Sequence, residues 1–565
     1  MESNQFLRTL SWVIIVLLNV GISIWPNLVL IFVTISLMVA LLVVNWFRGR
    51  FKHHHFIYYL FASLYLGMAF WGWQSAYQPA DGHTKFLVLF TGVLFGGLLA
   101  ATINQESTTH VTWSFSTGAL FLAAVFFAVG LLGIARGDLL TNNRLAGMII
   151  IFTPFIILGF LETSSILKWI FPAVGSIVTL ALIISGSRGG GAALVIGLSA
   201  WWLLYQSQRN GTRSGVWGIS VGLSSMLTIG AFGYWQAPSL LNTILAGIPG
   251  AESRIQLYAN HRHLLSDYWL LGGGLDSFGG QYSQYVLSIP FLRFTYGHHF
   301  YIDTLLELGI LGLTSILALY TISLVYLLTL DNNTGALERS QWHLKGATLA
   351  SLIALILHGL IDDAIFGDSG SSFIFMAAGM AFALILPRHG IRKGGIISLV
   401  IVLVIGIAGI FSLSAIQSGR LSNSAAIEMA QVQLADWPTN EWSKGQHAAP
   451  LEMIAPDFER AIEINSLDTT SYYRLGLIHM ESREFDEAKT QLSKAMELQP
   501  AHSGIKKNYG YALLWSGQIE EGLLVLEDLP EIQQEVDAYV WWWGQVGEDE
   551  LSGIAQSAKD SGRLR

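Results

Sequence analysis

The sequence predicts an all-α polytopic membrane protein with a large extracytoplasmic loop and a C-terminal α-solenoid domain. Hydrophobic residues make up 52% of the chain and charged residues only 12%, whereas an average soluble protein is about 25% charged. Charge also divides the chain. Residues 1–416 hold 19 Lys and Arg against 15 Asp and Glu, and residues 417–565 hold 12 against 24. We therefore expect a membrane domain over 1–416 and an acidic extracytoplasmic domain over 417–565.

Two classes of function are excluded by composition. The chain contains no cysteine, which rules out disulfides, thiolate metal sites and a cysteine nucleophile. Its basic residues are too scattered for a nucleic-acid-binding surface.

The apolar runs predict about 12–13 membrane spans, each near the ~20 residues needed to cross the hydrocarbon layer. The first run lacks a small-x-small cleavage site, so we expect it to be retained as a helix. The predicted spans are 10–25, 28–47, 56–73, 86–103, 111–134, 145–161, 169–185, 192–205, 216–232, 309–330, 346–361, 373–386 and 395–416.

Orientation follows from the short basic loop after the second span, which contains Arg48, Arg50 and Lys52. Positive charge near membrane helices favours the cytoplasmic side. Alternation then places the basic loops 206–215 and 387–394 on the same side, as the rule requires. Loop 233–300 and the C-terminal domain fall on the outer side.

The large outer loop carries the densest group of polar residues in the membrane domain, a pattern typical of functional sites. His298 precedes a helix that is predicted to start near Tyr301 and to continue into a span. Histidine is the side chain best suited to abstract a proton near neutral pH. The alternative is an interfacial histidine without a role.

Four arginines lie on the outer side, where cations are normally few. Arg254, Arg262 and Arg293 belong to the loop, and Arg188 follows Ser187 between two spans. A guanidinium group binds phosphate through two parallel hydrogen bonds and stays charged. We interpret these arginines as phosphate ligands, and solvated or headgroup-contacting charge is the alternative. The glycines after Arg188 are expected to let a ligand approach the backbone.

The tail repeats with a period of 34 residues, which is typical of a tetratricopeptide repeat (TPR). The central unit is formed by Tyr472, Leu475, Gly476, Ala488, Leu492, Ala495 and Pro500. Matching residues one period away are Phe458, Ala461, Tyr509, Gly510, Gly522 and Leu526. Such arrays usually bind a partner protein on a concave face. A helical cap that only stabilises the loop is the alternative.

Four segments carry a resemblance to a known family. They are Asn142-Asn143-Arg144-Leu145-Ala146, Ser187-Arg188-Gly189-Gly190, the stretch from Ser253-Arg254 through Leu271-Gly272-Gly273-Gly274 to Phe278, and the stretch from His298-His299-Phe300-Tyr301 to Glu307-Leu308-Gly309-Ile310-Leu311-Gly312. In these, the chain resembles the O-antigen ligase and O-antigen polymerase superfamily of bacterial polysaccharide assembly over roughly residues 10–386. His299 stands where that family usually has Asn, and Tyr268-Trp269 stands where it has Pro.

The resemblance implies a GT-C-like glycosyltransferase fold in the bacterial inner membrane, with the large loop and the C-terminal domain in the periplasm. It implies inverting transfer of a glycan from undecaprenyl pyrophosphate to an acceptor hydroxyl, with no metal and no cofactor. His298 would be the general base, and Arg188 and Arg254 would bind the pyrophosphate. The supporting residues would be His299, Arg262, Arg293, Tyr301, Glu307 and Asp362. The competing interpretation is a weak divalent-metal site at Asp362, Asp363 and Asp368.

The acceptor stays open. It is the lipid A core for a ligase, a second lipid-linked glycan for a Wzy-type polymerase, and a protein for an O-oligosaccharyltransferase. The tail slightly favours a protein partner. A transporter of lipid-linked sugars is a different class, but the sequence lacks paired broken helices in corresponding halves. A scaffold is the third class, and thirteen spans exceed what an anchor needs.

Overall fold

The computed structural model describes residues 2–52, 55–103, 108–131, 142–210, 212–223, 251–287, 297–328, 339–363, 365–367, 370–384, 413–435, 437, 447–529 and 532–563. Within these ranges the chain is helical and contains no β-strand. The prediction of a mainly helical protein is therefore confirmed.

The described helices fall into three groups along the chain. The first group is α1 (Glu2–Ile24), α2 (Leu28–Phe47), α3 (His55–Ser75), α4 (Pro79–Thr102), α5 (Thr108–Leu131), α6 (Asn142–Glu162), α7 (Ile170–Ser185), α8 (Arg188–Arg209) and α9 (Ser214–Leu223). The second is α10 (Ala251–Tyr268), α11 (Phe278–Tyr285), α12 (Phe300–Leu328), α13 (Arg339–His358) and α14 (Met376–Ala383). The tail has α15 (Leu413–Gln433), α16 (Ala448–Glu452), α17 (Ala455–Ile464), α18 (Thr469–Glu481), α19 (Phe485–Leu498), α20 (Ser503–Trp515), α21 (Ile519–Leu526), α22 (Ile532–Val546) and α23 (Asp549–Asp560).

Eight of the described helices are long and apolar enough to cross a membrane, namely α1 to α7 and α12. Helices α8 and α13 cover two further predicted spans but do not reach the same apolar character. The described parts of two more predicted spans are shorter apolar helices, Ser214–Leu223 and Ser372–Ala383. Most of the predicted span 395–416 lies outside the described residues. Several long apolar helices are thus confirmed, and the total number of spans stays a prediction.

The helices of the apolar region place several chemically active residues at one end of the bundle. Helix α13 packs against α6 and α8, and Ser351 of α13 donates to the Ile151 carbonyl at 2.9 Å. Helix α13 ends at His358, and at that same end α6 begins with Asn142 and α8 with Arg188. Helix α12 begins there directly after His298 and His299, and its Phe300 amide donates to the Gly359 carbonyl at 2.9 Å. The residues before and after these helix ends therefore meet.

Helix α12 contains a break that receives the glycine turn of the large loop. Gly309 has φ 67° and ψ −174°, outside the helical region, a conformation that glycine adopts at little cost. The carbonyls of Leu306 and Glu307 accept hydrogen bonds from the amides of Gly273 and Gly274 at 2.7 and 3.3 Å. A Cβ on Gly309 would lie 2.3 Å from the Leu270 carbonyl oxygen. The family-like glycines therefore fit the loop into the broken helix.

A buried ion pair lies beside this break. The Lys85 ammonium group contacts both carboxylate oxygens of Glu307, at 2.9 and 2.7 Å. It also lies 3.9 Å from the centre of the Phe366 ring. A buried charge is costly unless it is paired and hydrogen-bonded, so this pair fixes α4 to α12.

The tail repeats the same helix contact one period apart. A Cβ on Gly476 would lie 2.5 Å from Leu492 Cγ, and one on Gly510 would lie 2.5 Å from Leu526 Cγ. Within each unit the glycine lets the second helix approach the first closely. This geometry agrees with the 34-residue period that predicts the repeat.

The tail packs against the large loop through apolar and polar contacts. Leu257, Leu264 and Tyr268 of α10 share one apolar cluster with Tyr473 and Leu475 of α18. The loop and the tail therefore share one core in the described part of the chain.

Acidification should destabilise the packing of the large loop on the tail through His263. The ring of His263 lies 4.3 Å from the ring of His502. Burial lowers the pKa of His263 from 6.5 to about 4. His263 binds a proton more readily in the unfolded chain than in the folded one. Its contribution to the free energy of unfolding is therefore fully present above pH 6.5 and is lost as the pH falls towards 4. At pH 5 the free energy of unfolding is lower by about 2 kcal/mol. We expect the wild type to melt at a lower temperature at pH 5 than at pH 7.5, and His263→Phe to show a smaller difference by circular dichroism. Equal differences would contradict this account.

Candidate active site

A histidine, an aspartate and an arginine meet at the polar end of the helix bundle. His298 Nδ1 lies 3.4 Å from Asp362 Oδ2, slightly longer than the usual range of about 2.7–3.2 Å for an N–H···O hydrogen bond. The same oxygen accepts from Arg254 Nη2 at 3.1 Å and from Asn143 Nδ2 at 2.6 Å. Asp362 is buried, whereas the His298 side chain is 29% exposed. Asp362 thus holds the imidazole of His298 in place, and the ring stays accessible to a substrate that approaches from solvent.

Charge around Asp362 favours its ionised form. Burial alone would raise the pKa of this carboxyl group, but hydrogen bonding to His298 and the charges of His358, His298 and Arg254 outweigh burial and hold the pKa below its usual value. An ionised carboxylate at Nδ1 keeps the proton on that nitrogen and directs Nε2 to act as the base.

The pKa of the neighbouring Asp363 is shifted in the opposite direction. Asp363 is fully buried and lies beside the Asp303 carboxyl group. Burial, and after it the nearby Asp303 carboxylate, raises the pKa of Asp363 well above its usual value. The pKa values of these two adjacent aspartates are therefore shifted in opposite directions, and Asp362 is the one that pairs with His298.

The backbone of His298 is held in an unusual conformation. Its φ is 57°, the left-handed region that costs a non-glycine residue about 1–2 kcal/mol. Asp303 Oδ2 accepts from the amides of Gly297 and His299 at 3.1 and 3.5 Å. Tyr258 donates its hydroxyl to the His298 carbonyl at 2.8 Å. These contacts offset the strain and aim the imidazole at Asp362.

His299 closes the start of α12. Its Nδ1 accepts from the Ile302 amide at 3.3 Å, the contact that an Asn side chain makes at the same helix position. Burial lowers the pKa of His299 to about 4, so the ring is neutral near pH 7 and can accept. His299 thus caps the start of α12.

Loss of the Asp303 carboxylate should impair His298 without removing it. Asp303→Ala leaves two backbone amides without their acceptor, so we expect a fall of about tenfold in any His298-dependent reaction. Asp303→Asn keeps a carbonyl oxygen at this place and should retain most of the rate. The measurement is the turnover of both variants at equal protein amounts. Equal losses in both would assign the effect to charge instead of turn geometry.

Arg188 begins α8 beside the segment that carries Asp362. A Cβ on Gly189 would clash with Ile361, and one on Gly190 would lie 3.6 Å from His358 Cδ2. Gly189 and Gly190 therefore accommodate neighbouring side chains, whereas a Cβ on Gly191 would meet open space, so close approach of a ligand to this backbone stays a prediction. Within the described residues, no hydrogen bond or ion pair engages the Arg188 guanidinium group.

The other sequence-predicted residues occupy different places. Tyr301 donates to the Ile356 carbonyl at 3.0 Å, which ties α12 to α13, and Glu307 pairs with Lys85. Arg262 is half-buried on α10 and forms no ion pair with a carboxylate in the ranges that the structure covers. Arg293 and Asp368 lie outside the described residues.

Sequence reasoning missed four residues of this site as functional candidates. Asn143 and Asp303 stand out in the sequence only as members of family-like segments, and Tyr258 does not stand out at all. Lys85 was also missed, although a lysine at the start of an apolar span is a signal in itself. The others gave no signal because their partners lie far away in sequence.

The competing metal interpretation has geometric support. One ligand atom each from His298, Asp362 and Asp363 lies within 4.8 Å of the others. One observation weighs against an ion here. Asp362 Oδ2 already receives the Arg254 guanidinium group.

Comparison with known proteins identifies only the tail. A tetratricopeptide repeat family model matches residues 457–541, which confirms the predicted C-terminal repeat. No family model of the O-antigen ligase and polymerase superfamily matches the chain, and no curated protein matches it. The assignment of the membrane region stays a prediction.

Proposed function

We propose that this protein transfers a glycan from undecaprenyl pyrophosphate to an acceptor hydroxyl at the periplasmic face of the bacterial inner membrane. The observation that carries the proposal is the meeting of His298, Asp362 and Arg254 beside the ends of long apolar helices. A base and a guanidinium group at a membrane surface suit a substrate with a lipid diphosphate and a sugar. The fold is expected to be GT-C-like.

In the proposed reaction, His298 acts on the acceptor. Asp362 accepts from Nδ1, and Nε2 takes the proton from the acceptor hydroxyl as its oxygen attacks the anomeric carbon. The bond between that carbon and the pyrophosphate oxygen breaks, and undecaprenyl pyrophosphate leaves with the electron pair. Direct displacement inverts the anomeric configuration. A positioned general base contributes a factor of about 10²–10⁴.

Arg254 and Arg188 act on the donor. Two of the five Arg254 donors face Asp362 and the Ile361 carbonyl, so further donors remain for a phosphate oxygen. Arg188 has no carboxylate partner among the described residues and begins a helix, whose N-terminus favours anions. Both would stabilise charge that grows on the leaving group.

Three kinds of acceptor suit the proposed reaction. A lipid A core and a second lipid-linked glycan are the alternatives to a protein. The tetratricopeptide repeat over 457–541 favours an assembly in which a protein is the acceptor or delivers it, since such repeats commonly bind protein segments.

Deletion of the gene tests the proposal in the cell. We expect loss of a surface glycan on a gel, restored by the wild-type gene. Loss of all capping indicates a ligase, a single-repeat band indicates a polymerase, and unglycosylated protein indicates a protein transferase. Unchanged glycans on all three acceptors would contradict the proposal.

Removal of divalent cations should leave the proposed transfer intact, because arginines neutralise the pyrophosphate. We expect the rate in EDTA to equal the rate in added Mg²⁺, measured with purified protein and lipid-linked donor. A loss that only a divalent cation restores would favour the metal interpretation of His298, Asp362 and Asp363. A magnesium-dependent glycosyltransferase assayed in parallel shows that the chelator acts.

A further inference from the structure

The C-terminal helices contact the same loop helix that carries Arg254. At about 100° per residue, Arg254, Tyr258 and His261 lie on one face of α10, and His263 and Asp267 lie on the opposite face. The first face contacts the turn that precedes α12. The second contacts the tail. Helix α10 is therefore held between the candidate active site and the repeat domain.

A buried ion pair fixes the tail side of α10. Arg474 Nη2 lies 2.6 Å from Asp267 Oδ2, and Thr470 donates to Asp267 Oδ1 at 2.7 Å. The Arg474 guanidinium carbon lies 3.3 Å from the centre of the Tyr285 ring. Arg474 is fully buried. A charge pair in such surroundings permits few alternative arrangements, so it sets where α10 lies.

A second anchor holds the glycine turn that follows α10. Asn423 of α15 accepts from the Leu271 amide at 2.8 Å and donates to the Gly272 carbonyl at 3.0 Å. The same turn enters the break of α12 at Gly309. The tail thus holds the last turn of α10 and the glycine turn that follows it, which enters the break of α12.

Helix α10 needs such support. It has 18 residues and a polar composition, and an isolated helix of that length is marginally stable in water. Much of its apolar surface packs in the cluster that it shares with the tail, including Leu257, Leu264 and Tyr268. From Arg254 to Asp267 the helix extends about 20 Å, so a change at one end moves the other.

We propose that the C-terminal domain is a structural part of the transfer site. Asp267 of α10, together with Arg474 and Asn423 of the C-terminal domain, are positioning residues that hold Arg254 against Asp362. The proposal rests on the proposed function for its link to catalysis. A tail that only recruited a partner would need no buried ion pair with the loop.

The test uses the full-length protein with Arg474→Gln, Asp267→Asn and the double substitution. Each single variant leaves one buried charge without its partner, whereas the double variant leaves two neutral groups that can hydrogen-bond. We expect each single variant to transfer glycan about tenfold or more slowly, mainly through a higher KM for the donor. Amide hydrogen exchange should quicken along α10 up to Arg254. The double variant should recover both properties to within about threefold of the wild type.

Lys559→Gln is the matched control, because it removes an exposed tail ion pair with Asp537 and should change neither property. Wild-type transfer and exchange in the single variants, or a double variant as impaired as they are, would overturn the proposal. If the wild type transfers no glycan, the proposed function fails, but amide hydrogen exchange still tests whether the tail positions α10. Faster exchange at the Arg254 end of α10 in the single variants supports this positioning role. Changes confined to the tail contradict it.

Discussion

His298→Ala should lower glycan transfer by about 10²–10⁴-fold at neutral pH, because the acceptor hydroxyl loses its base. Donor binding should change little, since the guanidinium groups remain. The measurement is the rate of acceptor glycosylation in membranes that contain equal amounts of each protein. Near-normal transfer would remove His298 from the chemistry.

The left-handed backbone at position 298 (φ 57°) calls for a second variant. Asn tolerates this conformation better than other non-glycine residues, so His298→Asn keeps the turn and lacks the base. We expect it to be as inactive as the alanine variant. His479→Ala removes a histidine of the tail far along the chain and should transfer at the wild-type rate. Activity retained in His298→Asn alone would show that position 298 matters for its backbone.

Arg254→Ala should reduce transfer by about 10²–10³-fold, the usual effect of removing a group that stabilises developing negative charge. The same substitution takes a cation from the buried Asp362, so the His298–Asp362 contact also weakens. Arg254→Lys keeps the charge but loses the fork that binds two oxygens, and we expect an intermediate loss. The measurement is turnover together with binding of the lipid-linked donor.

Arg420→Ala serves as the control for the arginine series, because it removes an exposed guanidinium group from the first tail helix. It should leave donor binding and turnover unchanged. Donor binding and turnover of Arg254→Lys equal to those of the wild type would exclude a role for Arg254 in holding pyrophosphate.

Local sequence patterns predict much of the fold. Continuous apolar runs give the long helices, and the 34-residue spacing of Gly476 and Gly510 gives the repeat. The break of α12 at Gly309 is less predictable, since a glycine within an apolar run also occurs in unbroken helices. Its conformation depends on the glycine turn at 272–274, which reaches it from another part of the chain.

The sequence predicts only those residues of the candidate site whose side-chain type by itself indicates a chemical role. His298, Arg254 and Asp362 stand out as polar residues beside membrane spans, and the structure brings them together. Asp303 and Lys85 owe their roles to contacts that form only in the folded protein. Lys85 and Glu307, for example, are 222 positions apart, and no local pattern encodes such a pairing.

The docking of the tail on α10 could not be predicted from sequence for a related reason. The amphipathic pattern of a helix shows which face is covered, but not which element covers it. Asp267 and Arg474 each read as an ordinary charged residue. Only the structure shows that they are buried together at 2.6 Å.

The central claim is tested most directly in proteoliposomes that hold purified protein, undecaprenyl-pyrophosphate-linked glycan and an acceptor. The absence of native cysteine also allows a single cysteine label to report which side faces outwards. The account predicts that undecaprenyl pyrophosphate appears in a one-to-one ratio with glycosylated acceptor in the wild type, and that neither appears with His298→Asn. Donor that crosses the bilayer unchanged, or equal product from His298→Asn, would contradict it.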